Sequence, residues 1–265
     1  MKIFYKAINM TLSMFTVIPL PKYEWDDRAA KHIMKLYPLI GLIIGALWYL
    51  SFFALSKLNV PIMLMVALIL TVPYILTGFL HLDGFMDVSD ALLSRRDKET
   101  KLRILKDSTV GAFSVISVVL LLLVEFAGMF TVLNKNLDMR ILIFIPIASR
   151  AINGYFIVSQ EMLGQSSLAK FFKEGTGKVD EIILLGIYVL VALITFFTLG
   201  INYLIAILAM GLISFILLLK VKKELGGING DVAGYILVLM EFTGILLLGI
   251  IWGGEAFETF IWRCL

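Results

Sequence analysis

Charge and cysteine are what this sequence has least of. Only 16% of its 265 residues are Asp, Glu, Lys or Arg, and 60% are hydrophobic. A soluble domain carries roughly 25% charged and about 45–50% apolar residues. With a mean hydropathy of +0.96, the scarcity of charge excludes an ordinary water-soluble fold and points to an integral membrane protein. One cysteine, Cys264, excludes an intrachain disulfide framework and a cysteine metal cluster. The formal charge of +3 is too small and too dispersed for a nucleic-acid partner. The N-terminus lacks a compact apolar core followed by a small-residue cleavage site, so no cleaved leader is expected. Low-complexity linkers and internal repeats are missing too, and the length suits one domain. Residues 1–265 are therefore read as a single integral membrane domain, with a homo-oligomer left open.

What is there is a series of long apolar runs. A bilayer-spanning helix needs about 20 predominantly apolar residues. Leu36 to Ser56 and Leu58 to Leu80 are long enough, and the Ser56-Lys57-Leu58-Asn59 break with Pro61 marks a turn between them. Val110 to Leu133 spans with Glu125 inside it, and Met139 to Ser159 with Arg150 inside it. Ile182 to Leu219 is too long for one span and divides at Gly200-Ile201-Asn202; Val232 to Trp252, interrupted by Glu241, is the last. The expected fold is all-α: a polytopic membrane protein with about seven transmembrane helices. Phe4 to Pro21, which holds Lys6, Asn9 and two terminal prolines, reads as an interfacial or re-entrant helix.

Seven spans put residues 1–35, 81–109, 160–181 and 220–231 on one side. They hold 6, 6, 3 and 3 Lys/Arg, 18 of the chain's 23. Cytoplasmic loops carry the Lys/Arg excess, so this side is the expected cytoplasmic one, in the cell (inner) membrane.

Against so little charge overall, His81 to Ser108 stands out. It holds five aspartates, one glutamate, one histidine and six Lys/Arg, directly after the uncharged second run, and reads as a cytoplasmic catalytic segment over 81–109. Asp83, Asp87 and Asp90 are spaced i, i+4, i+7, which puts them on one face of a helix. Stacked like charges repel, so something positive should face them. Mg²⁺, which takes oxygen ligands from one or two carboxylates plus substrate phosphates, is the natural candidate. A solvated acidic face paired with Arg95, Arg96 and Lys98 suits the same spacing. Gly84 would let a phosphate or a neighbouring helix approach closely, and His81 could meet a substrate at the helix start.

Downstream, Lys101, Arg103, Lys106 and Asp107 precede Ser108. Basic groups here could offset phosphate charge or simply belong to the positive-inside excess. Gly226-Gly227-Ile228-Asn229-Gly230-Asp231 opens the last span; it suits an anion or metal site at a helix N-terminus, or a flexible turn. Glu125, Arg150 and Glu241, inside spans, pair with one another or line a polar cavity.

Together these pieces resemble the cobalamin synthase family, the adenosylcobinamide-GDP ribazoletransferases. The family's central motif, HLDG-x-x-D-x-x-D followed by RD and KDS-x-x-G-x-F/Y, matches His81 to Gly84, Asp87, Asp90, Arg96-Asp97, Lys106-Asp107-Ser108, Gly111 and Phe113. FTVIPLP (Phe15 to Pro21), YPLIGLIIG (Tyr37 to Gly45) and GGINGDVAG (Gly226 to Gly234) resemble three further elements. Val17 stands where the family usually has Arg, Tyr235 where it has Ala, and Val238 where it often has Glu, leaving Glu241.

The resemblance implies a Mg²⁺-dependent transfer. The hydroxyl of α-ribazole, or of its 5′-phosphate, attacks the cobinamide-side phosphorus of adenosylcobinamide-GDP, and GMP leaves. It places His81, Asp83, Asp87, Asp90 and Asp107 at the chemistry, with Asp83, Asp87, Asp90 and Asp231 toward the metal. Gly84, Arg96, Lys106, Ser108, Arg150, Asn229, Asp231 and Glu241 would meet the substrates. A CDP-alcohol phosphotransferase is the nearest rival enzyme, but its pattern wants Ala-Arg where Asp87-Val88 stands and lacks its second half here. A cation-coupled transporter would set its carboxylates near the bilayer midplane on broken helices.

Overall fold

The apolar runs fold into helices because a chain in lipid must satisfy its own backbone polar groups, and a helix does so within one segment. A computed structural model describes residues 2–20, 25–163 and 175–253. Among them lie α1 (Lys2–Phe15), α2 (Asp27–Ala30), α3 (Ile33–Lys57), α4 (Ile62–Leu76), α5 (Leu80–Leu93), α6 (Lys98–Ile104), α7 (Ala112–Asn134), α8 (Ile141–Ser159), α9 (Lys178–Leu199), α10 (Ile201–Glu224) and α11 (Gly230–Gly253). Among the described residues there is no strand, only an isolated parallel bridge joining Met162 to Ile228. Cys264 and part of the 160–181 loop lie outside the described residues.

Among the described residues six helices, α3 and α7 to α11, are long and apolar enough to cross a membrane, and there are seven candidate spans if the bent pair α4–α5 is counted as one. The expected straight helix over Leu58 to Leu80 is corrected by that bend. α4 stops at Leu76 and α5 leaves it at 91°. The cause is a Schellman turn: Phe79 N–H donates to Tyr74 O (2.8 Å) and Gly78 N–H to Ile75 O (3.0 Å), with Gly78 at φ 59° and Phe79 at φ 62°. α4 alone, 15 residues or ~22 Å long, falls short of a hydrocarbon core of about 30 Å. α5 packs against α7 and α11, and the rest of 81–109 holds α6 and its flanking turns. The division of the long apolar run at Gly200 is as expected (φ 101°). α1 is too short to count as a span, which suits the interfacial reading.

α8 and α11 form the centre of the bundle, while α7, α9 and α10 turn apolar faces such as Val119, Leu123, Leu190, Phe197, Leu212 and Phe215 outward, as lipid-facing helices must. α3 lies directly against α8. A Cβ on Gly41 would stand 2.2 Å from Pro146 O, and one on Gly45 2.6 Å from Ile143 O. This small-xxx-small spacing brings two backbones together where lipid supplies no hydrophobic drive.

One end of the bundle is stitched across its loops. Lys35 pairs with Asp180 at 2.8 Å, Lys101 with Glu224, and Lys222 donates to Gln160 at 2.9 Å. These contacts gather the four Lys/Arg-rich segments at the same end. At the opposite end the amide of Asp138 donates to the Tyr203 hydroxyl at 2.6 Å.

Candidate active site

α5 is held between α7 and α11, and its contact with α11 is backbone on backbone. A Cβ on Gly84 would meet Asp231 O at 2.7 Å and Asp231 Cα at 2.8 Å; one on Gly234 would meet His81 O at 3.0 Å. Only glycine permits an approach this close, and it is the neighbouring-helix alternative that the structure realises at Gly84. The crossing is locked by a ring stack of Phe85 on Tyr235, 5.7 Å between centroids. It sets Asp231 beside the aspartate face of α5.

The glycine-rich turn before α11 is ordered by Asn229. Its Oδ1 accepts from the amide of Val232 (2.9 Å), capping the helix, while its Nδ2 donates to Asp231 Oδ2 (2.8 Å). The chain leaving α8 clips onto the same turn through Leu163 N–H to Ile228 O (2.7 Å) and Ile228 N–H to Glu161 O (3.0 Å).

Two cavities meet at Asp83. The smaller, about 30 Å³, is lined by Asp83, Met86, Asp87 and Asp90 of α5 and by Ile104, Asp107, Thr109, Val110, Gly111 and Ser114. Its four carboxylates share it with no Lys or Arg. α6 makes this possible: Asp97 caps it by accepting from the Thr100 amide (3.0 Å) and hydroxyl (2.8 Å), folding the loop back so that Asp107 faces α5. Two hydrogen bonds from Thr109, hydroxyl first and then amide, hold the Asp107 carboxyl below the usual carboxylate range. The loop backbone presses close here, since a Cβ on Gly111 would stand 2.0 Å from Asp90 Oδ1. Asp87 sits in the field of Asp83, Asp231 and Asp90. Among the described residues, none of these aspartates is in an ion pair, so Arg95, Arg96 and Lys98 do not neutralise the face.

The larger cavity, about 240 Å³, is mainly apolar. Met14, Phe15, Met34, Tyr37, Leu80, His81, Ile157, Met162 and Ala233 wall it, and Asp83, Asn229, Gly230 and Asp231 close one end. Phe15 packs on Tyr37 with 4.5 Å between centroids, and the Tyr37 hydroxyl lies 3.3 Å from His81 Nε2. Phe15 arrives there because the segment after α1 docks on the α4–α5 bend, where the Val17 amide donates to Leu76 O at 2.9 Å.

The donor set fits a hard divalent cation: several carboxylates, a shared cavity and no competing base. As the side chains stand, no group of three His, Cys, Asp or Glu among the described residues is arranged to hold a metal ion. A carboxylate on a helix face needs only side-chain rotation to turn toward its neighbours.

Other expected site residues stand elsewhere. Arg96, Lys106 and Ser108 are exposed on the loop and line neither cavity. Arg150 and Glu241, expected at the substrate, are paired with each other in the buried centre. Arg150 Nη1 donates to Glu241 Oε1, and the Ser149 hydroxyl to the same oxygen at 2.7 Å. At that depth an unpaired charge is costly, so two opposite charges in reach neutralise one another. Glu125 is satisfied likewise, accepting from the Tyr74 hydroxyl at 2.8 Å.

The chain matches the model of the Cobalamin-5-phosphate synthase family over residues 7–249. It belongs to that family. It is 98% identical over 251 residues to an adenosylcobinamide-GDP ribazoletransferase of Clostridium perfringens (strain ATCC 13124), covering 95% of this chain and all of that one. A protein of the same name from Clostridium botulinum (strain Alaska E43 / Type E3) is 47% identical over 245 residues, 92% of this chain and 97% of the relative. One from Lachnoclostridium phytofermentans is 31% identical over 257 residues, 97% and 98% of the two chains. No solved structure matches the chain.

Reading residue types missed the larger cavity. Met14, Phe15, Met34 and Tyr37 look like core or lipid-facing residues in sequence, and only Phe15 and Tyr37 are marked, by their place in two family-like elements, Phe15 to Pro21 and Tyr37 to Gly45.

Proposed function

We propose that this protein assembles the nucleotide loop of cobalamin at the cytoplasmic face of the cell membrane. It would transfer the adenosylcobinamide-phosphate group of adenosylcobinamide-GDP to α-ribazole or its 5′-phosphate. The acceptor hydroxyl oxygen forms a bond to the cobinamide-side phosphorus, the bond from that phosphorus to the GMP oxygen breaks, and GMP departs. The observation that carries this reading is the meeting of the two cavities at Asp83. A carboxylate-lined cavity suited to a cation opens onto an apolar one large enough for an organic substrate.

Asp83, Asp87 and Asp90, with Asp231 brought beside them by the Gly84 crossing, would hold Mg²⁺. Bound there, the cation would supply charge neutralisation across the diphosphate oxygens, which is most of what phosphoryl transfer requires. The protein's own part is positional. Asn229 orients the Asp231 carboxylate, and Asp107, kept anionic by Thr109, closes the acidic cavity from the loop side. A carboxylate at the junction, Asp83 or Asp231, is placed to take the acceptor's proton. Arg96 and Lys106, on the loop beside the mouth, would offset substrate phosphate charge as it arrives. The cytoplasmic assignment rests on the gathering of the Lys/Arg-rich segments at this end.

The test is to incubate the purified protein with adenosylcobinamide-GDP, Mg²⁺ and either acceptor, and to measure GMP and the corrinoid product. GMP release that depends on acceptor and metal is expected; no release with either acceptor sinks the proposal. The family's description, Cobalamin-5-phosphate synthase, favours the 5′-phosphate as acceptor, and the two-acceptor comparison decides between them.

A further inference from the structure

The transferase reading leaves open which substrate enters the larger cavity and what it recognises there. Three features bear on this. The first is size: at about 240 Å³ it lies below the roughly 300–1,000 Å³ of pockets that enclose drug-sized ligands. A corrin macrocycle cannot enter it, whereas a bicyclic ring can.

The second is polarity. Away from the Asp83, Asn229 and Asp231 end the walls are Met, Phe, Leu, Ile and Ala, and the polar atoms there are those of Tyr37 and His81. Guanine carries several donors and acceptors on its edge, and burying them against such walls without partners is costly. A benzimidazole presents a single acceptor nitrogen once its other nitrogen bears the sugar. The third is the matching donor. The Tyr37 hydroxyl and His81 Nε2 lie 3.3 Å apart, so one of the two donates to the other. With Nε2–H donating to the Tyr37 oxygen, the Tyr37 O–H is left to donate to one ring nitrogen. Both residues are buried, Tyr37 at 1% and His81 at 7% exposure, so that donor would otherwise go without water.

We infer that this chamber is the base subsite for the acceptor nucleoside. It admits a bicyclic aromatic heterocycle with one acceptor nitrogen against Phe15, Tyr37 and His81. The sugar then points to Asn229 and Asp231 and turns a free ring hydroxyl, not its 5′ end, to Asp83, where the acidic cavity begins. His81 on this account positions the base and selects it; it is not the proton acceptor. The inference rests on the transferase reading for the identity of the acceptor, and on the chamber's own shape and chemistry for the class of base.

Free benzimidazole tests it on the wild-type protein. Equilibrium dialysis against the purified protein, without corrinoid or Mg²⁺, should show saturable binding that α-ribazole displaces and guanine does not. In turnover, benzimidazole should raise the apparent KM for α-ribazole and leave that for adenosylcobinamide-GDP unchanged. Phe15→Leu, which keeps an apolar wall but removes the aromatic face, should weaken benzimidazole binding by about tenfold, as loss of one stacking ring does. Tyr37→Phe should weaken it while leaving the binding of naphthalene, which has no ring nitrogen, unchanged. Benzimidazole that fails to bind, or that competes with adenosylcobinamide-GDP instead, overturns the subsite even if GMP release is normal. Absent GMP release with intact benzimidazole binding would instead overturn the transferase reading and leave the subsite standing.

Discussion

Asp83 sits where the acidic and apolar cavities join, so its carboxylate is the one most exposed to both substrates' reacting ends. Asp83→Asn and Asp87→Asn keep shape and remove charge. Each should lower GMP release by about 100-fold or more, since loss of even an outer-shell partner of a metal ligand typically costs 10–100-fold, while gel filtration in detergent stays unchanged. Near wild-type turnover of both variants at limiting Mg²⁺ would mean that the carboxylates do not hold the metal. The Arg150–Glu241 pair belongs to a different category, because it is buried and ion-paired and lines neither cavity. Glu241→Ala leaves a guanidinium unpaired at the bundle centre and should cost ~3–5 kcal/mol of stability. The double variant Arg150→Met/Glu241→Leu should recover most of that loss. Thermal unfolding in detergent checks the order: a double variant no more stable than the single one would place the pair's role elsewhere.

At the scale of elements, the site depends on two backbone features that carry no charge. One is the α5–α11 crossing. A methyl group at Gly84 meets the Asp231 backbone at 2.7–2.8 Å, and backbone atoms cannot rotate away, so Gly84→Ala must push α5 from α11. A displacement near 1 Å at a reacting centre can cost about 10²-fold, and a fall in kcat of that order is expected, with metal-independent binding of benzimidazole less affected. Activity within a few-fold of wild type would show that Asp231 and the α5 aspartates need not be held together. The other feature is the α4–α5 bend. Gly78 has φ 59° and a Cβ there would lie 2.7 Å from Val17 Cγ1. Gly78→Ala therefore carries the left-handed penalty of ~1–2 kcal/mol plus the clash, and should lower the unfolding temperature. An unchanged temperature would argue that the bend is not strained by a side chain.

At the scale of the whole molecule, the four basic segments converge on the end that carries the acidic cavity, and the α7–α8 and α9–α10 connections close the other. Reporters fused after Lys223 and after Asn134 should therefore read cytoplasmic and external, respectively; the reverse, or the same side for both, would overturn the orientation. Composition and run length were enough to determine an all-helical membrane protein, because a bilayer makes hydrophobic length a near-direct readout of span number. The i, i+4, i+7 spacing likewise determined that Asp83, Asp87 and Asp90 share a face, since helical geometry is local. The bend at Thr77 to Phe79 was not legible: a Schellman turn made of uncharged residues leaves no break in hydropathy, so a 23-residue uncharged run conceals where α4 stops. The partnership of Arg150 with Glu241 and the gathering of Phe15, Tyr37 and His81 were equally hidden. Those groups lie far apart in the chain, and only the packing of helices through glycine contacts decides which side chains meet.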